Sequence, residues 1–196
     1  SVRRAQMLSA DLLSVAELAF AEGELGLACV ALRLFNPIQP MLAEPASEVP
    51  GGSGWRHEQK YDGVRALARI SAVSTALTTR RGNNKAKQFP EVAQALTALR
   101  HLFGQDLLLD GEIVVFGEGG EPEFEALQSR MHVSDASQAR LLAGQNPVTY
   151  LVFDLLQLDG RPLLDLEYRY RRALLDELGL AGPNWQTPPA FPGEDF

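Results

Sequence analysis

Residues 57–65 constrain the fold more than any other stretch of this sequence. Their centre, Tyr61-Asp62-Gly63, indicates a tight turn, because Asp-Gly between two extended runs is a common hairpin signal. After the turn, small or branched apolar residues alternate with larger or charged ones, which predicts a half-buried strand. Before the turn, the same period of two puts Glu58 and Lys60 on one strand face, so a carboxylate and an amine point into the same space. The stretch therefore predicts a strand, a turn and a strand.

Two interpretations of Lys60 are open from the residues alone. A lysine beside a hairpin turn is ordinarily a solvated surface residue. Alternatively, Lys60-Tyr61-Asp62-Gly63-Val64-Arg65 resembles the Lys-x-Asp-Gly-x-Arg motif of covalent nucleotidyltransferases, a group that includes ATP-dependent DNA ligases, RNA ligases and capping enzymes. The resemblance implies that Lys60 is the nucleophile that takes AMP from ATP. A lysine amine attacks only after losing its proton, so such a site has to favour the neutral amine.

Length and composition describe an ordinary globular chain. Its 196 residues, 45% apolar and 22% charged, are enough for one core with a small appendage. Cys29 is the single cysteine and no Cys or His cluster has metal-ligand spacing, which favours a reducing cytoplasmic setting without zinc. No apolar run reaches membrane-spanning length. The net charge of -7 argues against a chain that is basic throughout, so any nucleic-acid binding has to be local or shared.

Three regions are predicted along the chain. Residues 1–35 have the apolar period of a helix followed by a second short element, and residues 36–54 are a Pro- and Gly-rich connector. The segment Phe35-Asn36-Pro37-Ile38-Gln39-Pro40-Met41-Leu42-Ala43 resembles the entry to the adenylation domain of bacterial ATP-dependent DNA ligases. The resemblance implies that residues 1–35 end a helical DNA-binding domain and that residues 55–196 form a truncated adenylation domain.

Residues 107–116 have the pattern of a central strand, with Asp110 and Glu112 on one face. On a surface strand two such carboxylates are merely solvated, but within an apolar strand unpaired charges are costly. Asp110-Gly111-Glu112-Ile113-Val114 resembles the third motif of the nucleotidyltransferases, in which the glutamate supports the ribose and the metal ion. Gly111 allows another group to approach the strand closely.

Residues 148–158 predict a long apolar strand that Asp159-Gly160 closes as a hairpin. A phenylalanine in such a strand is ordinarily a core residue. Phe153-Asp154-Leu155-Leu156 also resembles the family motif in which an aromatic ring stacks on adenine. Both interpretations of Phe153 are open at this point.

A basic segment, Thr78-Thr79-Arg80-Arg81-Gly82, follows another predicted strand. It fits a solvated turn, and it also resembles the Ser/Thr-Arg-Asn/Arg-Gly step of DNA ligases. The resemblance implies that Arg80 reaches the nucleotide or the nick.

Helical periods fill much of the remaining sequence. They predict a helix opened by Phe89-Pro90-Glu91 and helices over 124–131, 134–142 and 167–178, whereas residues 183–192 are predicted to be irregular. His132 is expected at the surface. The predicted fold class is α+β, with antiparallel sheets flanked by helices.

Taken together, the motifs imply an ATP-dependent DNA ligase that seals nicks in double-stranded DNA through a lysyl-adenylate and then adenylated DNA. The resemblance implies ATP and Mg2+, or another divalent cation, as cofactors. It also implies a monomeric enzyme of DNA repair, replication and recombination, cytoplasmic and associated with a bacterial nucleoid. The implied site residues are Lys60 as nucleophile, Glu58 for the adenine amino group, Arg65 for the ribose, Glu112 for the ribose or metal, Phe153 for the adenine face, and Arg80.

The sequence also departs from the family. The downstream Glu-Gly-hydrophobic-Lys and Lys-x-Lys motifs do not occur before Phe196. We therefore expect a fragment that lacks these motifs and the oligonucleotide-binding domain, and that is poorly active or inactive by itself. Two alternatives stay open: an RNA ligase or capping-type nucleotidyltransferase, and a non-catalytic nucleotide-binding module.

Overall fold

The computed structural model describes residues 38–103 and 106–193, without the side chains of Leu102 and Phe103. The predicted helical region of residues 1–35 therefore lies outside the described residues. In chain order the elements are β1 Arg56–Glu58, β2 Val64–Ile70, β3 Thr75–Thr79, α1 Pro90–Phe103, β4 Leu107–Val115, α2 Phe124–Met131, α3 Ala136–Gln145, β5 Val148–Leu158, β6 Arg161–Pro162, α4 Tyr168–Glu177, β7 Ala181–Gly182, β8 Trp185–Gln186 and β9 Ala190–Pro192.

A seven-stranded sheet forms the centre of the fold. Its order is β3-β2-β4-β5-β8-β7, with β6 paired to β5, and the pairs are antiparallel except for β5 with β8. Every residue of β4 is buried except Glu112, which is partly exposed. The predicted α+β class and the central position of this strand are thus confirmed.

The helices cover the sheet with their apolar sides. Helix α1 packs on β2, β3 and β5, while α2 packs on β4 and α4 packs on β5. The predicted helix over 124–131 is confirmed as α2, and the other three are confirmed with ends shifted by a few residues. Helix α3 begins at Ala136 because the Asp135 carboxylate accepts hydrogen bonds from the backbone N–H groups of Ser137 and Gln138, at 3.0 and 2.8 Å. None of the described helices is long and apolar enough to cross a membrane.

The hairpin predicted at Asp62-Gly63 is wrong. Strand β1 pairs with β9, with Glu58 opposite Ala190, in a separate two-stranded sheet. Strand β2 pairs with β3 on one edge and β4 on the other, so neither edge is left for β1. The prediction that residues 183–192 are irregular is also wrong in part, since this segment supplies β8, which pairs with β5 and β7, and β9, which pairs with β1.

The second hairpin prediction is confirmed. Asp159 and Gly160 have φ angles of 49° and 77° and connect β5 to β6. Positive φ at both central residues is what a two-residue turn matching the strand twist requires.

Candidate active site

A cavity of about 430 Å3 lies between the loop after β1, the faces of β4 and β5, and the start of α4. Five of the six predicted site residues line it, namely Glu58, Lys60, Arg65, Glu112 and Phe153. Its other lining residues are Met41, Ala43, Gln59, Tyr61, Asp62, Asp110, Asp154 and Tyr168. Lys60 follows β1 in a loop rather than lying on a strand with Glu58, so their shared strand face was predicted wrongly, although both reach the same cavity.

Phe153 lines this cavity because strand β5 bulges at that residue. Asp110 pairs with Asp154 and Gly111 pairs with Val152, so Phe153 is an extra residue without a partner on β4. A bulge of this kind turns a side chain away from the regular alternation. Phe153 is partly exposed and lies outside the hydrophobic core, so its interpretation as a core residue does not hold.

Arg65 is held between β4 and the connector. Its guanidinium donates two hydrogen bonds to the Asp110 carboxylate, at 3.1 and 2.7 Å, and a third to the carbonyl of Met41 at 2.7 Å. Its Cζ lies 5.6 Å from the centroid of the Phe153 ring. Burial raises the pKa of Asp110, whereas the bound guanidinium acts in the opposite direction. The side chain of Arg65 is still 29% exposed, so it is accessible from the cavity.

Among the described residues, Glu112 has no cation bound to its carboxylate, whereas Glu58, Asp110 and Asp154 in the same cavity are each bound by an arginine. It is opposite Arg65 in the strand register, but the Arg65 guanidinium is bound to Asp110 instead. Burial raises the pKa of Glu112 to about 7, while the charge of Arg65 and a hydrogen bond from the backbone of Gly63 act against this rise. Glu112 is therefore poised to change its protonation state near neutral pH.

Glu58 is bound by the first turns of α4. Its Oε1 atom accepts hydrogen bonds from the Tyr168 hydroxyl and, at 2.7 Å, from Nη1 of Arg172. Burial raises the pKa of Glu58, and these two donors oppose that rise. Tyr168 and Arg172 were not predicted as site residues, although their i, i+4 spacing on a charged amphipathic helix places them on one helix face.

Two glycines allow the strands around the cavity to approach closely. A Cβ on Gly63 would overlap the carbonyl of Ile113 and come within 3.1 Å of the Glu112 side chain. A Cβ on Gly111 would overlap the carbonyl of Leu151 and lie 2.6 Å from the Tyr150 ring. The predicted close approach at Gly111 is thus confirmed.

Arg80 lies away from this cavity. It is exposed in the turn after β3 and lines a second cavity of about 400 Å3 together with Arg69 and Arg81. The structure therefore does not bring Arg80 together with the other five predicted residues.

Metal-binding groups are sparse. Within residues 38–103 and 106–193, no cluster of three or more His, Cys, Asp or Glu side chains could hold a metal ion. Mg2+ at nucleotide sites is usually held by one or two carboxylates, phosphate oxygens and water. Glu112 fits such a single-carboxylate role, whereas Asp110 is already occupied by Arg65. The donor set fits a metal ion that arrives with a nucleotide.

The sequence matches a known family over most of its length. The model for the ATP dependent DNA ligase domain matches residues 40–185, which include every residue of the first cavity. The chain belongs to this family. Among curated relatives, it is 34% identical to a DNA ligase of Thermococcus onnurineus over 90% of this chain, and 38% identical to the bifunctional non-homologous end joining protein LigD of Bacillus subtilis over 72%.

Solved structures agree with this assignment. A mycobacterial DNA ligase D complexed with ATP and MES has a TM-score of 0.62 and 30% identity, covering 79% of this chain and 46% of that one. The ligase domain of Mycobacterium tuberculosis LigD has a TM-score of 0.55 at 30% identity, covering 69% of this chain and 40% of that one. The chain spans only 32% of the Thermococcus ligase and 23% of the Bacillus protein.

Proposed function

We propose that this chain is the adenylation domain of an ATP-dependent DNA ligase, with Lys60 as the nucleophile. One observation carries the proposal. The sequence has three lysines, Lys60, Lys85 and Lys87, and of these Lys60 alone lines the cavity. The same cavity has a partly exposed aromatic ring and a carboxylate without a bound cation, as a nucleotide site would use them.

The first step forms a covalent bond between protein and nucleotide. The unprotonated Nζ of Lys60 attacks the α-phosphorus of ATP, a nitrogen–phosphorus bond forms, and the bond to the β-phosphate breaks. Pyrophosphate leaves with the bonding electrons, and the amine proton passes to solvent. Fixed positive groups and hydrogen-bond donors have to stabilise the charge on the phosphorus oxygens, a contribution commonly worth about 100- to 1000-fold per donor.

The remaining site residues are assigned to parts of the nucleotide. Glu58 accepts a hydrogen bond from the adenine amino group, and the ring of Phe153 stacks on the base. Arg65 contacts the ribose, for which its exposed portion is available. Glu112 binds the ribose or the metal ion, and Mg2+ when bound neutralises phosphate charge. Arg80 contacts the nick, because it lies outside the cavity.

The next two steps take place on DNA. A 5′-phosphate oxygen at a nick in double-stranded DNA attacks the phosphorus of the lysyl-adenylate, and the Lys60 amine leaves. The 3′-hydroxyl then attacks the 5′-phosphate and AMP leaves, which seals the strand. The net charge of -7 means that other domains have to supply much of the positive DNA-binding surface. We assign residues 1–35 to the end of such a helical domain, with residues 36–54 as the connector.

The cellular setting is part of the proposal. We place the enzyme in the cytoplasm on the bacterial nucleoid, as a monomer that acts in DNA repair, replication and recombination. Repair has the most specific support, because one relative is named a non-homologous end joining protein.

The test is covalent labelling followed by intact-mass measurement. The full-length protein, incubated with Mg2+ and either ATP or GTP, is expected to gain one adenylyl group from ATP, and Lys60→Met is expected to abolish this. Lys87→Met, which changes an exposed lysine outside the cavity, is the matched control and should label normally. Adenylation that survives in Lys60→Met would refute the assignment.

The labelling experiment and a parallel nick-sealing assay separate the alternatives. Labelling by GTP would indicate a capping-type enzyme, and sealing of nicked RNA but not nicked DNA would indicate an RNA ligase. ATP binding without any covalent product would indicate a non-catalytic module.

A further inference from the structure

Glu58 is held from one side by two donors on a single helix. Tyr168 and Arg172 both bind the same carboxylate oxygen, Oε1. Arg172 is itself fixed, because its Nε donates to Asp176 at 2.9 Å and its Nη2 donates to the carbonyl of Pro188. Its side chain is only 10% exposed. The helix thus presents a fixed cation and a fixed hydroxyl to one edge of the Glu58 carboxylate.

The other edge of that carboxylate is left for a ligand. Within the described residues, Oε2 of Glu58 takes part in no hydrogen bond, and Glu58 lines the cavity that contains Lys60. An ionised carboxylate offers only acceptors, whereas a protonated one also offers an O–H donor. The 6-amino group of adenine is a donor, and the 6-oxygen of guanine is an acceptor. The protonation state of Glu58 therefore decides which base it can bind.

Burial and the two donors act on Glu58 in opposite directions. Burial raises its pKa, and the nearby charge of Asp154 adds to the rise. The hydrogen bonds from Tyr168 and Arg172 and the positive charge of Arg172 lower the pKa, because they favour the ionised form. Without Arg172, Glu58 would hold its proton to higher pH and would also lose its fixed orientation.

Resting on the proposed function, we propose that Tyr168 and Arg172 are positioning residues that set nucleobase selectivity. They hold Glu58 as an ionised acceptor with Oε2 directed to the 6-amino group of adenine, and thereby disfavour guanine. The neighbouring arginine on the same helix has a different role. Arg171 binds Asp154 with two hydrogen bonds of 2.9 Å and the carbonyl of Leu166, so it braces α4 against β5.

The test compares ATP with a nucleotide that differs from it only at position 6 of the base, and with GTP, which differs at positions 1, 2 and 6. Lysyl-nucleotide formation by the full-length protein is measured with ATP, GTP and purine riboside triphosphate, which has hydrogen in place of the 6-amino group, between about pH 6 and 8.5. The variants are Tyr168→Phe, Arg172→Met and Arg172→Lys. Arg169→Met is the matched control, because Arg169 is on the same helix, is 61% exposed and is bound to Glu167 rather than Glu58.

The expected change is in selectivity rather than in overall rate. Wild type should prefer ATP to purine riboside triphosphate, and Arg172→Met should reduce this preference roughly 10- to 100-fold, mostly through KM, as expected for losing a hydrogen bond to a charged group. The selectivity of Arg172→Met should also recover as pH rises, because Glu58 then ionises. Tyr168→Phe should have a smaller effect in the same direction, Arg172→Lys should restore part of the preference, and Arg169→Met should match wild type.

A purely structural role gives a different pattern. Arg172→Met and Tyr168→Phe would then lower thermal stability and reduce the use of all three nucleotides equally, and an unchanged preference would overturn the inference. Equilibrium binding of α,β-methylene analogues of ATP and GTP is measured in parallel, so selectivity is tested even if no covalent product forms. Wild type could fail to form a lysyl-adenylate and still bind the ATP analogue selectively, with Arg172→Met abolishing that selectivity. This outcome would refute the ligase chemistry but would still support the role of Tyr168 and Arg172 in base selectivity.

Discussion

Phe153 illustrates how one residue acquires its position from the strand around it. The sequence places it in an apolar strand, where a buried ring is the ordinary outcome. The bulge in β5 turns the ring into the cavity instead, where Arg65 lies beside it. A ring with one accessible face suits stacking on a base.

Phe153→Ala is therefore expected to impair the use of ATP more than Phe153→Tyr. Stacking on an aromatic ring is worth about 1–3 kcal/mol per base, and tyrosine keeps the ring face. The KM for ATP in lysyl-adenylate formation should rise about 10- to 100-fold in the alanine variant and change little in the tyrosine variant. Equal effects that follow the melting temperature would show that Phe153 serves packing alone.

Glu112 gives a prediction for pH. The pKa of Glu112 is raised to about 7 from an ordinary value of 4.5. Between these two pH values the Glu112 carboxyl is therefore more protonated in the folded protein than in the unfolded chain. The free energy of unfolding contributed by Glu112 therefore falls as pH rises through this window, and the loss is complete above about pH 7. Glu112→Gln has no such loss.

The melting temperature of Glu112→Gln minus that of wild type should consequently increase from pH 5 to pH 8. Glu125→Gln, at an exposed position on α2, is the control for the Glu-to-Gln substitution itself. A constant difference for Glu112→Gln would mean that this carboxyl ionises in the folded protein as it does in the unfolded chain.

Strand pairing around β4 depends on the missing side chain of Gly111. This residue lies opposite Ala66 on β2 and Val152 on β5, with the Tyr150 ring packed over it. The Tyr150 hydroxyl donates to the carbonyls of Ala66 and Leu109, at 2.9 and 3.2 Å, so the ring cannot move away without breaking buried hydrogen bonds. Three strands are thereby fixed in register beside the cavity.

Gly111→Ala is expected to reduce the free energy of unfolding by about 1–3 kcal/mol, as overpacking commonly does. Urea denaturation followed by circular dichroism would measure the loss. Gly119→Ala is the matched control, because a Cβ there meets no atom within 4 Å, and it should be neutral. Equal stability of the two variants would show that the strands adjust freely around Gly111.

At the scale of the whole molecule, Arg130 joins the helices to the sheet. This fully buried side chain, on α2, binds both carboxylate oxygens of Glu91 on α1 and the carbonyls of Gln88 and Asn146. Glu91 in turn accepts a hydrogen bond from the backbone N–H of Val148, the first residue of β5, at 3.2 Å. One buried ion pair thus connects α1, α2, the end of α3 and the central sheet.

Arg130→Met is expected to cost about 3–5 kcal/mol of stability, because it leaves the Glu91 carboxylate buried without its cation. Arg140→Met, at an exposed position on α3, should be close to neutral. The double variant Arg130→Met with Glu91→Gln should regain part of the loss, since the unpaired charge is removed. Chemical denaturation of wild type, Glu91→Gln, the two single arginine variants and the double variant would measure these differences. A loss in the double variant equal to the sum of the Arg130→Met and Glu91→Gln losses would contradict the ion-pair account.

The sequence by itself determined the local structure of this protein. Periodicity placed α1, α2, α3 and α4, and the alternation of residues placed the central strands. Asp159-Gly160 specified its hairpin, because the positive φ angles of such a turn are a property of the two residues themselves. The motifs around Lys60, Glu112 and Phe153 likewise identified residues that line one cavity, although the sequence could not show how they meet.

Only the tertiary structure decided the contacts between distant segments. Strand β1 pairs with β9 rather than across the Asp62-Gly63 turn, because β3 and β4 occupy the two edges of β2. Arg65 is bound to Asp110, and Tyr168 and Arg172 reach Glu58 across 110 and 114 positions of sequence. Such pairings depend on sheet order, register and bulges, which place groups within hydrogen-bond distance only after the chain has packed, and no local pattern of residue types encodes them.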